Sequence, residues 1–110
     1  MDDLTLCKRI AEIEGLEVTI NTRTGYKECH HDKKMVFAKG VYGDYFSAYN
    51  PLTDDGLCFR LMIKHEIKVS TYYKIGDRVP FYGAETPDLE EVEARTPHKC
   101  VCLAIMSTYD

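Results

Sequence analysis

Residues 49–58, YNPLTDDGLC, carry the most definite structural signal in the chain, because turn-forming residues lead directly into an apolar run. Asn50 or Thr53 can accept a hydrogen bond from a free N–H group at a helix start. Pro51 is tolerated in a first helical turn, where its missing N–H costs nothing. The stretch therefore predicts a helix over residues 53–65, with Asn50 or Thr53 as its cap.

The adjacent acids Asp54 and Asp55 have two chemical interpretations besides this structural one. A calcium loop needs oxygen ligands at alternating positions and a distal glutamate, and the order Asp54-Asp55-Gly56 does not follow that spacing. A catalytic carboxylate pair needs two side chains directed at one point, whereas neighbours on a helix diverge by about 100°. Both are weaker than the helix start, which places the two acids at the positive end of the helix dipole.

Two further segments have helical features. Residues 3–14 form an amphipathic pattern with Asp2 in the cap position. Its apolar stripe consists of Leu4, Cys7, Ile10 and Ala11. Thr96 and Pro97 repeat the cap-and-proline arrangement and open the last helix. That helix has the core CVCLAIM, which is apolar on nearly all sides and predicts burial against a sheet.

Strand signals lie between these helices. The predicted strands are residues 16–20, a hairpin or two short strands within 35–49, then 67–73 and 78–85, with 89–95 ambiguous between a strand and a helical turn. Pro80 is expected to place its strand at a sheet edge. An exposed edge over residues 79–82 makes a homodimer possible, whereas Pro80 itself argues against pairing, so a monomer and a homodimer both stay open. The order α-β-β-α-β-β-(β)-α predicts one α+β domain over residues 1–110, with a mostly antiparallel sheet of about four strands packed with three helices.

Composition and charge narrow the classes of function. A net charge of −4 does not favour nucleic acid, whose phosphates attract clustered lysine and arginine. The sequence has no stretch apolar enough to cross a membrane, and its acidic, amphipathic start is unlike a secretory signal. Five cysteines, an odd number, are typical of reduced thiols. We therefore expect a cytoplasmic protein that does not act at a membrane.

Metal and nucleophile chemistry have weak candidates. Residues 29–31 (Cys-His-His) and 98–102 (His-x-Cys-x-Cys) contain soft ligands, but structural zinc sites use pairs separated by two to four residues. Cys58, near a helix start, and Cys29, beside two histidines, are the best candidates for a reactive thiol, and neither lies in a recognisable motif. The sequence therefore predicts no catalytic residue, no metal and no cofactor.

The tyrosines give the clearest candidates for a contact surface. Eight tyrosines are too many for one buried face of so small a sheet, and exposed tyrosine is enriched at protein interfaces. The predicted partner-binding residues are Tyr42, Tyr45, Tyr72, Tyr73, Arg78 and Tyr82. With the nearby Lys68 and Lys74, they also allow an alternative, a pocket for a nucleotide-like anion.

Two motifs resemble the phage α-β-α sandwich domain, a family of small phage and prophage proteins. Residues 49–54 are similar to its aromatic-Asn-Pro-x-Thr-Asp signature, and residues 96–105 to its terminal Thr-Pro helix. Gly56 departs from the pattern, since a stronger helix former is expected there, and residues 29–31 have no counterpart. The resemblance implies a phage or prophage origin and an accessory role, and it carries over no catalytic residue.

These observations lead to a functional expectation. The protein is expected to be non-enzymatic and to bind and modulate a host protein, such as a component of a host defence system. The alternative is a binding module that sequesters a nucleotide-like anion. A zinc-dependent or thiol enzyme is a third hypothesis, with the weakest support from the residues.

Overall fold

The structure is a computed structural model that describes residues 1–23, 33–76 and 78–109. Its elements are α1 (Asp3–Ile13), β1 (Glu17–Arg23), β2 (Lys33–Lys39), β3 (Phe46–Ala48), α2 (Asp55–Lys64), β4 (Lys68–Tyr72), β5 (Phe81–Glu85), β6 (Glu91–Ala94) and α3 (Pro97–Tyr109). The predicted α+β class, the antiparallel pairing and the three helices are confirmed.

The strands differ in number and grouping from the expectation. The described residues form two three-stranded sheets, in the orders β1-β2-β3 and β4-β5-β6, instead of one sheet of about four strands. Which strands pair depends on residues distant in sequence, so the grouping into two sheets had no local signal. Polar residues also lengthen two strands beyond the prediction, because Asn21–Arg23 and Lys33–Lys34 pair without an alternating apolar pattern. The ambiguous segment 89–95 contributes a strand, β6.

The chain divides into two compact units, Met1–Asn50 and Pro51–Asp110. The predicted single domain over residues 1–110 stays a prediction. In the first unit, α1 contacts β1 and β2. Asp2 caps this helix by accepting a 2.8 Å hydrogen bond from the N–H of Thr5. The buried side of α1 consists of Leu6, Cys7, Ile10 and Ala11.

The predicted hairpin within residues 35–49 is formed by β2 and β3, with Phe37 opposite Ala48. After β3, the N–H of Tyr49 donates to the carbonyl of Val36 at 2.9 Å. The Cys7 thiol donates to Oδ1 of Asn50 at 3.4 Å. Asn50 therefore ties the end of the first unit to α1.

The cap of α2 is Asp54, so the prediction of Asn50 or Thr53 is corrected. Oδ1 of Asp54 accepts a 3.1 Å hydrogen bond from the N–H of Leu57, and the helix begins at Asp55. Several adjacent residues can cap a helix, and their order alone does not decide which one does. For α3, Oγ1 of Thr96 accepts from the N–H of Lys99 at 3.2 Å, as predicted for Thr96.

In the second unit, β5 is the central strand and β4 and β6 are the edges. The expectation that Pro80 marks an edge is therefore wrong. Pro80 lies immediately before Phe81, the first residue of β5, so its missing N–H removes no hydrogen bond from the sheet.

Helix α3 is the most buried element of the second unit, as its apolar sequence predicted. Its buried residues are Cys100, Val101, Cys102, Ala104, Ile105 and Met106. It contacts α2 and the strands of the second sheet. The Cys100 thiol donates to the carbonyls of Tyr82 (3.3 Å) and Val92 (3.1 Å), which fixes α3 over β5 and β6.

The other face of the second sheet carries an aromatic pair. Tyr72 and Phe81 are cross-strand neighbours whose rings stack at 5.4 Å and 24°. The Tyr72 ring extends over Gly83, where an added Cβ would lie 2.7 Å from its Cε2 atom and 2.7 Å from Oε1 of Glu91. Gly83 is therefore required for this packing.

We predict that Gly83→Ala lowers the free energy of unfolding by about 1–3 kcal/mol, because the new methyl group displaces the Tyr72 ring and the Glu91 carboxylate. Urea denaturation followed by circular dichroism measures the change. Gly83→Ala is also introduced into the Tyr72→Ala variant, where one of the two clashes is absent and its cost should be smaller. An equal cost in the wild-type and Tyr72→Ala backgrounds would contradict the prediction.

We predict that Asp54→Ala lowers the free energy of unfolding by about 1 kcal/mol, because the N–H of Leu57 loses its acceptor. Thr53→Ala is the matched control and is expected to change stability by less than about 0.5 kcal/mol. Chemical denaturation of both variants measures the difference. Equal losses, or a larger loss for Thr53→Ala, would show that Asp54 is not the cap.

Candidate functional site

The second unit contains an open groove between α2 and α3, with a volume of about 330 Å³. Its apolar lining residues are Cys58, Phe59, Met62, Val69, Pro97 and Val101. Asp55 and His98 are its polar lining residues. A groove with mostly apolar walls and a few polar groups is the usual form of a binding site.

Helix α2, which forms one wall of the groove, is apolar over more of its surface than the core covers. Leu57 and Leu61 are buried. Phe59 and Ile63, one helical turn apart, remain 58% and 60% exposed. Since Phe59 also lines the groove, the exposed apolar surface of α2 continues into the groove wall.

A polar pair joins the first turns of α2 and α3. Nε2 of His98 lies 2.6 Å from Oδ1 of Asp55. The Asp55 side chain is 90% exposed, so the pair contributes little to stability. The pair shows that the two helix starts lie side by side at the groove.

The groove cysteine does not have the properties of a nucleophile. Burial, together with the nearby carboxylates of Asp55 and Asp54, raises the pKa of the Cys58 thiol to about 11. A nucleophilic cysteine requires the opposite shift, towards a stable thiolate at neutral pH. The Cys100 thiol behaves similarly, since burial raises its pKa to about 11.

Metal ligands do not converge in the part of the chain that the structure describes. Across residues 1–23, 33–76 and 78–109, no group of three His, Cys, Asp or Glu side chains is placed to hold a metal ion. Cys100 and Cys102 are both fully buried, as expected for small core residues. The candidate segment 29–31 lies outside the described residues.

The predicted tyrosine surface is distributed over several places. Tyr42 and Tyr45 are exposed between β2 and β3 in the first unit. In the second unit, Tyr72 shares a sheet face with Phe81, whereas Tyr82 pairs with Thr71 on the opposite face.

Tyr73 and Arg78 are exposed in the connection from β4 to β5. Because Tyr72 and Tyr82 lie on opposite faces of the sheet, these two tyrosines do not belong to one contact face.

The basic residues of the predicted anion pocket have other neighbours. Nζ of Lys74 lies 5.2 Å from the centre of the Phe81 ring. Lys68 is the cross-strand partner of Glu85, which in turn pairs with Glu91. Acidic side chains therefore share the sheet face with Lys68, which lowers its attraction for an anion.

Phe59 and Ile63 are the surface residues that the sequence prediction missed. Leu57, Cys58, Leu61 and Met62 recur at helical spacing in α2 and already supply one apolar face. The sequence did contain a signal for them. A helix with two large apolar residues outside a complete apolar stripe has a second apolar surface, and such a surface is a candidate binding site.

Comparisons with known proteins gave no relative for this chain: no family model, no curated protein and no solved structure matches it. Among the described residues, no helix has the length and apolar character needed to span a membrane. The resemblance to the phage domain family therefore stays a prediction from the two sequence motifs.

We predict that Cys58 in the folded protein is alkylated slowly by iodoacetamide at pH 7.5, because its raised pKa keeps the thiol protonated. The rate is expected to keep rising with pH up to about pH 11, whereas in the denatured protein it should level off above the pKa of a free thiol, about 8.5. Peptide mass spectrometry after timed alkylation measures each cysteine separately, with denatured protein as the reference. Alkylation of native Cys58 at the denatured rate near neutral pH would contradict this and revive the thiol-enzyme hypothesis.

Proposed function

We propose that the protein is a small, non-enzymatic phage accessory protein that binds a host protein through the α2–α3 groove. The observation that carries the proposal is the exposure of Phe59 and Ile63 on the helix that lines the groove. Large apolar side chains exposed next to an apolar groove are typical of protein interaction surfaces. The raised pKa of Cys58 supports a binding role over thiol chemistry.

The groove indicates the chemistry of the partner. Its apolar walls favour one or two apolar side chains, presented at helical spacing by an amphipathic segment. Asp54 and Asp55 lie where α2 begins, and the whole chain has a net charge of −4. A lysine or arginine beside the apolar anchors of the partner is therefore attracted to that end of the groove.

The mechanism we propose is occupation of a partner surface. A bound partner segment would cover Phe59 and Met62 and exclude other proteins from the same segment. Support for a phage origin and for a host target, such as a defence component, comes from the resemblance of residues 49–54 and 96–105 to the phage domain family. The exposed apolar surface supports protein binding independently of that origin.

We predict that Phe59→Gln with Ile63→Gln weakens partner binding at least tenfold, because the partner loses two apolar contacts near the centre of the interface. Glutamine is a good helix former, so the free energy of unfolding should change by less than about 0.5 kcal/mol. Leu89→Gln is the matched control, since Leu89 is apolar, 77% exposed and outside the groove.

The partner is first identified by photo-crosslinking in host cells, with the photoreactive residue at position 63 and, as control, at position 89. Binding of the purified partner to each variant is then measured by calorimetry. A crosslink specific to position 63 and a loss confined to the groove variant support the proposal. If Tyr73→Gln weakens binding and the groove variant does not, the exposed connection from β4 to β5 that carries Tyr73 is the interface.

Calorimetry with a panel of nucleotides tests the alternative function of anion sequestration. Binding heat that disappears in Lys68→Gln or Lys74→Gln would replace the protein-binding proposal. The acidic neighbours Glu85 and Glu91 lead us to expect no heat.

A further inference from the structure

The pattern of hydrogen bonds in the second sheet shows which backbone groups of β4 face outward. The N–H of Thr86 donates to the carbonyl of Glu90, and these residues continue the β5–β6 register by one position. Hydrogen-bonded pairs alternate along an antiparallel ladder. The even-numbered residues of β5 therefore form backbone hydrogen bonds with β6, as Thr86 does, and the odd-numbered residues form them with β4. In β4, Lys68, Ser70 and Tyr72 then bond to β5, and the N–H and C=O groups of Val69 and Thr71 point to the open edge.

The two edges of this sheet differ in how they are protected. Edge strands are commonly shielded from pairing by charged side chains, bulges or proline. In β6, Glu91 and Glu93 are exposed on the same face, so two copies of this edge would bring like charges together. In β4, the three residues Ser70, Thr71 and Tyr72 are uncharged and exposed.

We propose that β4 pairs with β4 of a second copy of this chain, in antiparallel orientation about a two-fold axis at Ser70. This register uses the whole strand and leaves no like charges opposite each other. Ser70 of one chain faces Ser70 of the other chain. Lys68 of each chain faces the Tyr72 ring of the other chain and forms a cation–π contact with it. Val69 faces the other chain's Thr71, and these two residues form the new backbone hydrogen bonds.

A second copy is the occupant that the side chains of β4 favour. The strand is complementary to itself at every position of this register, and a two-fold dimer is the commonest closed arrangement of identical chains. Pairing of β4 with β6 of another copy would instead build an open chain of molecules, with both edge types continually exposed. The symmetric pairing covers the β4 edge of both chains. The outer edges of the joined sheet are then the two acidic β6 strands.

The pairing also has a consequence for the α2–α3 groove. Val69 lines the groove and lies on the outer strand, on the sheet face that α3 covers. In the dimer, two grooves therefore lie on the same face of one six-stranded sheet, on either side of the axis. The inference does not depend on the proposed function, because it rests on the backbone and side chains of β4.

Sedimentation velocity over protein concentrations from about 1 µM to about 1 mM tests the dimer. Wild-type protein is expected to dimerise within this range. Ser70→Lys and Ser70→Glu each place like charges at the axis, so each alone is expected to weaken dimerisation at least tenfold. An equimolar mixture of these two variants is expected to restore the dimer, because opposite charges then face each other.

Two further variants separate the edge from the rest of the fold. Thr71→Pro removes an outward N–H without removing a hydrogen bond to β5, so it should give a folded monomer. Glu93→Lys makes a charge change on the β6 edge and should leave the dimer unchanged. A monomeric wild type at all concentrations, or a dimer that survives both Ser70→Lys and Thr71→Pro, would overturn the proposal. Loss of self-association in Glu93→Lys would do so too, in favour of the β6 edge.

Discussion

Burial of α3 is the constraint on which the second unit depends. The helix is apolar on nearly all sides, so a single packing partner cannot remove its surface from water. The second sheet covers one side and α2 covers another. The Cys100 thiol, which donates to the carbonyls of Tyr82 and Val92, fixes the helix on the sheet. The starts of α2 and α3 are joined by the pair of Asp55 and His98.

The same constraint explains the surfaces that remain open. Among the described residues of the second unit, β4 is an edge strand of the sheet and part of α2 remains exposed. Phe59 and Ile63 are left exposed on α2. Backbone groups of Val69 and Thr71 are left at the sheet edge. We propose a different partner for each surface. The groove beside α2 binds a host protein, and the β4 edge binds a second copy of the chain.

Local signals predicted the helices well. The caps Asp2 and Thr96 and the apolar pattern of α3 are set by neighbours in sequence, and the structure agrees with them. Strand pairing depends on residues distant in sequence, so the division into two sheets had no local signal. Pro80 was misleading because one residue decides whether proline lies inside a strand or before it. Phe59 and Ile63 were not predicted as site residues. The reason is that Leu57, Cys58, Leu61 and Met62 already form a complete apolar stripe on α2.

The most direct test of this account is amide hydrogen exchange of the full chain, followed by NMR at low and high protein concentration. We predict that α3 contains the slowest amides of the second unit. In dilute protein, the amides of Ser70 and Tyr72 should be protected and those of Val69 and Thr71 should exchange rapidly, becoming protected only at high concentration. Rapid exchange throughout α3, or equal protection along β4 in dilute protein, would contradict the account.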